Sequence, residues 1–473
     1  MDRLRGSNRH GDSMDTGIRA VDGTAQSAPG GTGPEQAARS LRRTLSYYDL
    51  LVYGLAYVSP FALLQTVGFV WQASNGLIVL AYVLAAVCMY FTAKSYALMT
   101  DTVPNAGSVY GFARHSLGPF AGFIAGWMIL LDYLLIPAYI YVLMAVALDT
   151  LIPQVDRAIW IVALGGATLG INWFGVKVTS RVNLISVAIQ LAIIAVITSF
   201  SLLALHAGKG TGALTLRPLY TAGLFHAKSV FTATSICVMS FLGFDAISTL
   251  SEEVASDDRR VVGRAIVGVL FLSAALFTLL AWVFGNLMSG LAIKDPASAI
   301  YELAGSAIGP WASVLIAWAT VTVVGFTNAL PMQVGVARVT YAMGRDRQLP
   351  AVLAKVHAIH GTPYVGMIVT TAISMAVALA MRSRMDDLVS IVNFGALSGF
   401  FILHVSVIAL FWVKNRSGRW IAHLIVPLAG IAVVLAVLSG MSALATALGL
   451  SWLAAGVVYG MVLTKRRRAE LAI

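Results

Sequence analysis

The sequence predicts an all-α membrane protein with about twelve transmembrane helices, and three observations support this prediction. The chain has 473 residues, of which 58% are hydrophobic and only 11% are charged. A water-soluble chain of this length would need a far more polar surface. Apolar runs of about 20 residues, the length that crosses a bilayer, recur from residue 47 to residue 464. Two of these runs are interrupted near their middle by residues that break helices.

Twelve apolar runs are candidate spans, and we number them in chain order. The segments between them are short and leave no room for a soluble catalytic or sensory domain. The predicted spans are residues 47–72, 77–98, 119–149, 156–176, 182–206, 225–250, 262–289, 308–342, 363–381, 386–413, 420–438 and 440–464.

Lysine and arginine predict the orientation of these spans. With the N-terminus in the cytoplasm, twelve spans place the C-terminus there too, and most of the 32 basic residues then lie on the cytoplasmic side, as the positive-inside rule expects. The net charge of +11 therefore comes from scattered loop residues and does not predict a nucleic-acid partner. The basic residues left outside are Arg157, Lys209, Arg217, Lys228, Lys294, Arg382 and Arg384.

The remaining composition divides the chain into four parts. Residues 1–40 are rich in Gly, Ser, Thr, Asp and Arg and predict a disordered cytoplasmic tail. This tail has no apolar core and so does not read as a signal peptide. Residues 41–415 form the predicted core, with inverted repeats at about 47–206 and 225–413. Residues 416–464 supply two further helices, and 465–473 form a cytoplasmic C-terminal tail.

The two interruptions lie at similar depths in corresponding spans. Span 6 contains the segment Ser240–Asp245, with a glycine and a carboxylate, and span 1 contains Tyr57–Phe61, with a proline. Pro60 lies 13 residues after Tyr47, and Phe241 lies 13 residues after Lys228, each about 20 Å into the membrane by helical rise. Because the two spans run in opposite directions, the breaks converge near the midplane. Paired breaks of this kind indicate an inverted repeat and a secondary transporter with a midplane site.

The residues at the breaks explain why such a site binds ligands. Pro60 lacks an amide hydrogen and frees a carbonyl one turn earlier, and Gly243 adopts backbone angles that other residues resist. Freed carbonyls can hold an ammonium group, and half-helix N-termini can hold an anion. For Pro60 alone, a simple kink explains the residue equally well.

Asp132 in span 3 is a second carboxylate at membrane depth. It follows Pro119 by 13 residues, again about 20 Å by helical rise. Neither Asp132 nor Asp245 has a basic residue at the same depth, so the substrate or a proton must neutralise each acid, unless the carboxyl only bonds neighbouring helices. Nearby aromatic rings could hold a cation through their faces, although each alone is more often plain packing. These aromatics are Tyr57, Phe61, Tyr133, Phe241 and Phe244.

Other polar residues give weaker signals. Glu252 and Glu253 end span 6 and are either gate residues or a solvated helix end, and His404 fits helix packing better than a proton relay. Cys88 and Cys237 make no metal site, and the eight histidines are scattered. The sequence therefore predicts that the protein is not an enzyme and needs no metal or organic cofactor. The predicted coupling ion is a proton. A channel would more often show charged rings or a filter loop.

Three segments resemble one transporter superfamily. They are Pro104–Tyr110 with Gly118-Pro119, Ser240–Glu253, and Tyr341–Asp346 with Leu349-Pro350. They are similar to the first intracellular loop, the sixth helix and the loop after helix 8 of the amino acid–polyamine–organocation superfamily. This resemblance implies the LeuT-type five-plus-five inverted-repeat fold, with helices 1 and 6 broken.

Further segments resemble one branch of that superfamily. Gly54–Pro60, Gly126–Leu134 and Asn393–Leu397 are similar to the bacterial putrescine importers. The resemblance covers about residues 41–415. Span 8 departs from these importers with Gly325, Phe326, Asn328 and Pro331.

The resemblance also implies a site between helices 1, 3, 6, 8 and 10. Some amino-acid permeases of the superfamily have in helix 5 a lysine that replaces a sodium ion. This chain has Gln190 there, so coupling must lie elsewhere. The implied substrate-binding residues are Tyr57, Val58, Ser59, Pro60, Phe61, Asp132, Tyr133, Ser240, Phe241, Gly243, Phe244, Asp245 and Asn328.

The function predicted from these residues is proton-coupled uptake of a small diamine such as putrescine across a bacterial cytoplasmic membrane. Two buried acids and aromatic rings suit a ligand with two ammonium groups and no carboxylate. We expect Asp245 to carry the proton and Asp132, with Tyr133, to bind the amine, although the two roles are interchangeable. An amino-acid permease or an antiporter remains the alternative, and the sequence does not set the oligomeric state.

Overall fold

The structure is a computed structural model. Helices make up nearly all of the part of the chain that it describes. The described residues are 45–103, 108–174, 180–255, 258, 260–345, 348–357 and 362–470. Their one extended feature is an isolated bridge between Leu45 and Val254. The predicted disordered tail of residues 1–40 lies outside the described residues.

In the described part of the chain, helices lie at all twelve predicted span positions. Ten helices of the described chain are long and apolar enough to cross a membrane, and the bent pair of span 1 makes an eleventh. The fourth span, with 17 residues, is slightly shorter. The prediction of an all-α membrane protein is therefore confirmed.

The observed helices are labelled α1 to α12, with α1 and α6 each in two parts. They are α1a Tyr47–Val58, α1b Ala62–Ala73, α2 Ile78–Thr102, α3 Pro119–Leu151, α4 Arg157–Trp173, α5 Ser180–His206, α6a Ala227–Phe241, α6b Phe244–Glu253, α7 Arg260–Met288, α8 Pro310–Arg345, α9 Tyr364–Met381, α10 Met385–Lys414, α11 Ile421–Ser439 and α12 Ala443–Glu470.

The structure adds elements that hydropathy alone did not predict. Short helices at Val109–Leu117 and Ala299–Ala307 lie between spans, and each has only nine residues. A window of about 19 residues averages over such elements. The last helix also continues past Lys465, so the first residues of the predicted C-terminal tail extend α12.

Local sequence sets the ends of the helices that carry the site. Ser46 and Asp49 form a capping box at the start of α1a, with the Ser46 hydroxyl 2.7 Å from the carboxylate. Helix α3 begins at Pro119, where the missing amide hydrogen costs nothing, directly after Gly118 with a φ of 105°.

Both predicted breaks are present. Helix α1a ends at Val58 because Ser59 takes a positive φ of 61°, and α1b restarts at Ala62 with a bend of 44°. Helix α6a ends at Phe241, Gly243 takes a φ of 111°, and the chain continues as the tighter 3₁₀ helix α6b. The internal two-fold relationship of the repeats stays a prediction.

Small residues let the helices around the breaks approach closely. A Cβ on Gly243 would lie 2.9 Å from the carbonyl carbon and oxygen of Tyr57, so the two breaks touch. A Cβ on Gly395 of α10 would lie 2.9 Å from the amide nitrogen of Asp132 on α3. Close packing of this kind stabilises helix–helix contacts in a membrane, where the hydrophobic effect does not favour helix association because lipid is itself apolar.

Candidate functional site

A cavity of about 710 Å³ lies beside the two breaks, between α1, α3, α6, α8 and α10. Its volume is within the range of sites that bind small molecules. Nine of the thirteen predicted substrate-binding residues line it. They are Tyr57, Val58, Ser59, Asp132, Tyr133, Ser240, Gly243, Asp245 and Asn328.

The cavity is elongated along the spans. At one end it reaches Leu45 and Ser251, near the ends of α1a and α6b, and Ser108, before the short helix Val109–Leu117, and we call this end of the molecule the Leu45 face. Toward its other end it is lined by Gln65 of α1b and by Tyr139 and Leu143 of α3. We call the opposite end of the molecule, where α4 begins, the Arg157 face.

Asp132 is buried in the cavity wall without a cationic partner. Its side chain belongs to a residue only 7% exposed, and its Oδ1 makes no hydrogen bond. The ion pairs found among the described residues involve Arg157 and Arg264 and do not include Asp132. A carboxylate in this setting has lost water without gaining a counter-charge, which is costly unless a ligand or proton supplies it.

Asp245 is held at the start of α6b. Its Oδ1 accepts a hydrogen bond from the Gly243 amide at 3.3 Å, and its Oδ2 accepts one from the Tyr96 hydroxyl at 3.4 Å. Like Asp132, Asp245 takes no part in the ion pairs found among the described residues. The two acids therefore line one cavity from α3 and α6b, one without hydrogen-bond partners on Oδ1 and one fixed by its own helix break.

Two of the five expected aromatic residues, Tyr57 and Tyr133, line the cavity, and the other three do not. Phe241 and Phe244 are fully buried in the core instead of lining it: Phe241 packs on Phe277, and Phe244 on Tyr96. Pro60 and Phe61 are likewise outside the lining. The further aromatic residues that line the cavity are Tyr53, Tyr96, Tyr139 and Phe400.

Gln190 of α5 braces the break in α1. Its Oε1 accepts from the Ser59 hydroxyl at 2.8 Å and from the Phe61 amide at 3.3 Å, and its Nε2 donates to the Ser186 hydroxyl at 3.0 Å. A neutral amide thus satisfies groups that the break leaves without helical partners. The sequence singled out Gln190 only as the position where a lysine is absent.

Ser240 lines the cavity and also ties α6a to its neighbours. Its hydroxyl lies 3.1 Å from both the Thr66 and the Tyr82 hydroxyls. This cluster fixes α6a against α1b and α2 just before the break.

The weaker candidates have mixed outcomes. Glu252 and Glu253 end the backbone of α6b, but their side chains lie outside the described residues, so their gate role stays a prediction. His404 is fully buried, with Nδ1 2.8 Å from the Ser95 hydroxyl and Nε2 3.4 Å from that of Thr92, as expected for helix packing. Cys88 and Cys237 are both free and buried.

An ion-pair cluster joins three segments at the Arg157 face. The Arg157 Nε lies 2.8 Å from an Asp149 oxygen at the end of α3, and its Nη2 lies 3.1 Å from an Asp295 oxygen in the loop after α7. The carbonyl oxygen of Pro296, the next residue of that loop, contacts Gly68 of α1b so closely that no side chain would fit there. Arg157 therefore links the α3–α4 corner to the loop that covers α1b.

Four residues of this arrangement escaped sequence reasoning. Tyr96 and Phe400 sit in apolar spans, where aromatics are common, and give no separate signal. Gln65 could have been recognised from the sequence, because it is a polar amide in an apolar span, five residues after Pro60. Arg157 was counted only among the outside charges.

Broken helices that meet around a cavity lined by two acids define a membrane transporter and not an enzyme. The chain belongs to the amino acid permease family of the amino acid–polyamine–organocation superfamily, because the family model described as amino acid permease matches residues 50–464.

Relatives of this chain differ in what their names say they carry. The chain is 32% identical over 450 residues to the low-affinity putrescine importer of Escherichia coli K12, covering 92% of this chain and 96% of that protein. It is 27% identical over 395 residues to a branched-chain amino acid permease of Bacillus subtilis, covering 79% and 82% of the two chains. A methylthioribose transporter of Bacillus subtilis is 27% identical over 399 residues, covering 80% and 83%.

Proposed function

We propose that this chain takes up a small polyamine, with putrescine as the reference substrate, by proton-coupled alternating access across a bacterial cytoplasmic membrane. The observation that carries the proposal is the pair Asp132 and Asp245, which line one cavity. Neither acid takes part in the ion pairs found in the described part of the chain. A substrate ammonium group supplies the missing charge at one acid, and a proton or the second ammonium group supplies it at the other. The likeness to a putrescine importer supports the same class.

The amides at the breaks favour an amine over an amino acid. A substrate carboxylate would bind the free N–H groups of a half-helix N-terminus. Here the Phe61 amide donates to Gln190, and the Gly243 amide donates to Asp245. Protein side chains thus already use one amide at each break, while the acids remain available for ammonium groups.

The mechanism follows from the charges. The positive-inside rule supports a cytoplasmic Leu45 face, and with that orientation the cavity, which reaches this face, is inward-facing. In the outward-facing state an ammonium group pairs with Asp132 near Tyr133, and a proton neutralises Asp245. Once the cavity faces the cytoplasm, substrate and proton leave together. The two carboxylates exchange these roles if their titrations are coupled.

The test is uptake of labelled putrescine into proteoliposomes with an imposed pH gradient. We expect uptake that saturates, rises with an acid exterior and collapses with a protonophore. Saturable uptake that ignores the protonophore would contradict proton coupling, and absence of putrescine uptake would contradict the substrate class.

An amino-acid permease is the second candidate, because a relative named as a branched-chain amino acid permease covers most of this chain. Competition separates the two. Ornithine, arginine and leucine are expected to compete with labelled putrescine much more weakly than unlabelled putrescine does. Strong inhibition by leucine, which has no second amine, would favour the permease.

A further inference from the structure

A second polar position lies at the end of the cavity away from the Leu45 face. Gln65 of α1b and Tyr139 of α3 both line the cavity there. The Tyr139 hydroxyl donates to the Gln65 Oε1 at 3.4 Å, which orients the amide. The Gln65 Nε2 is buried and makes no hydrogen bond. A buried amide without a partner is expensive to keep unless a ligand satisfies it.

Putrescine leaves this amide donor unsatisfied. Tyr139 follows Asp132 by seven residues on one face of α3, a helical rise of about 10.5 Å. The two nitrogens of putrescine are joined by five bonds of about 1.5 Å each and so lie less than about 7.5 Å apart. Hydrogen bonds of about 3 Å at each end extend this reach to the Gln65 end of the cavity, but both ends are ammonium groups, which donate and do not accept. The Gln65 Nε2 therefore stays without an acceptor when putrescine is bound at Asp132.

The wall between the two polar ends suits a hydrocarbon chain. Ala62 and Ile136 line the cavity there. Methylene groups gain free energy by leaving water for such a surface. An acidic end, an apolar middle and an amide donor at the far end together describe a linear ligand with an ammonium group and a distant hydrogen-bond acceptor.

Resting on the proposed amine transport, we propose that Gln65 and Tyr139 form a second subsite that binds a neutral hydrogen-bond acceptor at the far end of a linear amine, such as the acyl oxygen of a monoacylated diamine. In N-acetylputrescine seven bonds of about 1.5 Å join the ammonium nitrogen to the acetyl oxygen, so these two atoms lie less than about 10.5 Å apart, and a hydrogen bond at each end adds about 3 Å. Its methylene chain lies against Ile136, and its acetyl oxygen accepts from the Gln65 Nε2.

A carboxylate at the same distance fits less well. The cavity lining among the described residues contains no lysine or arginine. A carboxylate bound there would lose water without a counter-charge. 6-Aminohexanoate, which places a carboxylate at the same bond count, is therefore the matched probe that separates a neutral acceptor from an anion.

The experiment measures competition against labelled putrescine in proteoliposomes. We expect N-acetylputrescine to compete within about threefold of putrescine and 6-aminohexanoate at least tenfold more weakly. In Gln65→Leu the ratio of N-acetylputrescine to putrescine affinity should fall about tenfold, as expected for one hydrogen bond lost in a dry site. Gln72→Leu, on the exposed side of the same helix, should keep the ratio.

A charge swap gives the reverse result. Gln65→Glu removes the donor and adds an acceptor, so it should weaken N-acetylputrescine and strengthen 1,7-diaminoheptane, whose far ammonium group reaches the same position. An unchanged N-acetylputrescine ratio in both Gln65 variants would overturn the subsite. Competition by 6-aminohexanoate equal to that of N-acetylputrescine would overturn its neutral character.

The subsite and the proposed function fail in different ways. If putrescine is transported but N-acetylputrescine does not compete, the subsite alone is refuted. If putrescine is not transported, the proposed function fails, and calorimetric binding of N-acetylputrescine to purified wild type and Gln65→Leu still decides the subsite. Binding to wild type that Gln65→Leu weakens about tenfold supports it, and equal binding or none refutes it.

Discussion

Gly243 lies directly against the carbonyl of Tyr57, where a Cβ would be 2.9 Å from the carbonyl carbon and oxygen. This contact joins the break in α6 to the break in α1. The two helix interruptions are thus one structural unit, and this unit holds Asp245, which accepts a hydrogen bond from the Gly243 amide.

Gly243→Ala should abolish most transport while leaving a folded protein. The new methyl group would strike the Tyr57 carbonyl, and alanine at a φ of 111° adds strain of about 1–2 kcal/mol. We expect putrescine uptake per folded protein, judged by size-exclusion chromatography, to fall at least about tenfold, equivalent to 1.4 kcal/mol. Gly166→Ala is the control, because a Cβ there meets no atom within 4 Å. Wild-type uptake by Gly243→Ala would show that the breaks need not touch.

Gln190→Leu should destabilise the α1 break. Leucine has a similar size but leaves the Phe61 amide and the Ser59 hydroxyl without their acceptor, at a cost of about 1–3 kcal/mol for each unpaired group. We expect a lower melting temperature and slower putrescine uptake. Ser59→Ala, which removes only the hydroxyl donor, should have a smaller effect on both. Equal effects of the two variants would mean that the Phe61 amide does not depend on Gln190.

Asp295→Asn should loosen the closure at the Arg157 face. The change removes one of the two carboxylates that hold Arg157 and so weakens the link to the loop over α1b. A reporter Leu143→Cys is suitable because Leu143 lines the cavity and the native Cys88 and Cys237 are buried. We expect a membrane-impermeant thiol reagent, added outside, to label the reporter several times faster.

The control for this change is Asp156→Asn. Asp156 is a neighbouring exposed carboxylate that caps the Ala158 amide, and asparagine caps a helix equally well. The control should leave the labelling rate of the reporter unchanged. Equal acceleration by both variants would trace the effect to surface charge and not to the Arg157 cluster.

Trp452→Phe should weaken the attachment of α12 without affecting transport. Trp127 and Trp452 stack with ring centroids 4.6 Å apart, and each indole N–H donates to the backbone carbonyl of the other residue. Losing one such bond costs about 1 kcal/mol. We expect a melting temperature a few degrees lower, compared with no change in Trp318→Phe, whose side chain is half-exposed. An unchanged melting temperature in Trp452→Phe would mean that α12 is held by other contacts.

The spans and their breaks could be predicted because the bilayer imposes strict rules on composition. A span must be apolar for about 20 residues, so Pro60, Gly243, Asp132 and Asp245 stood out against their surroundings. The same rules explain why the sequence located both acids of the cavity wall.

The cavity's remaining lining could not be predicted because a break resets the phase of a helix. Phe241 ends α6a and Phe244 begins α6b after Gly243, so helical periodicity cannot tell which face either ring takes. Both turned into the core, and the hydroxyl of Tyr96, from α2, reached Asp245 instead. Tertiary contacts of this kind depend on helix packing that sequence spacing does not encode.

Amine binding by Asp132 and Asp245 is tested most directly by an experimental structure determined with putrescine. We expect density for an extended ligand in the cavity beside the breaks, with an ammonium nitrogen about 3 Å from a carboxylate oxygen of Asp132 or Asp245. Ligand density that contacts neither acid, or a cavity that stays without putrescine at saturating concentration, would contradict it.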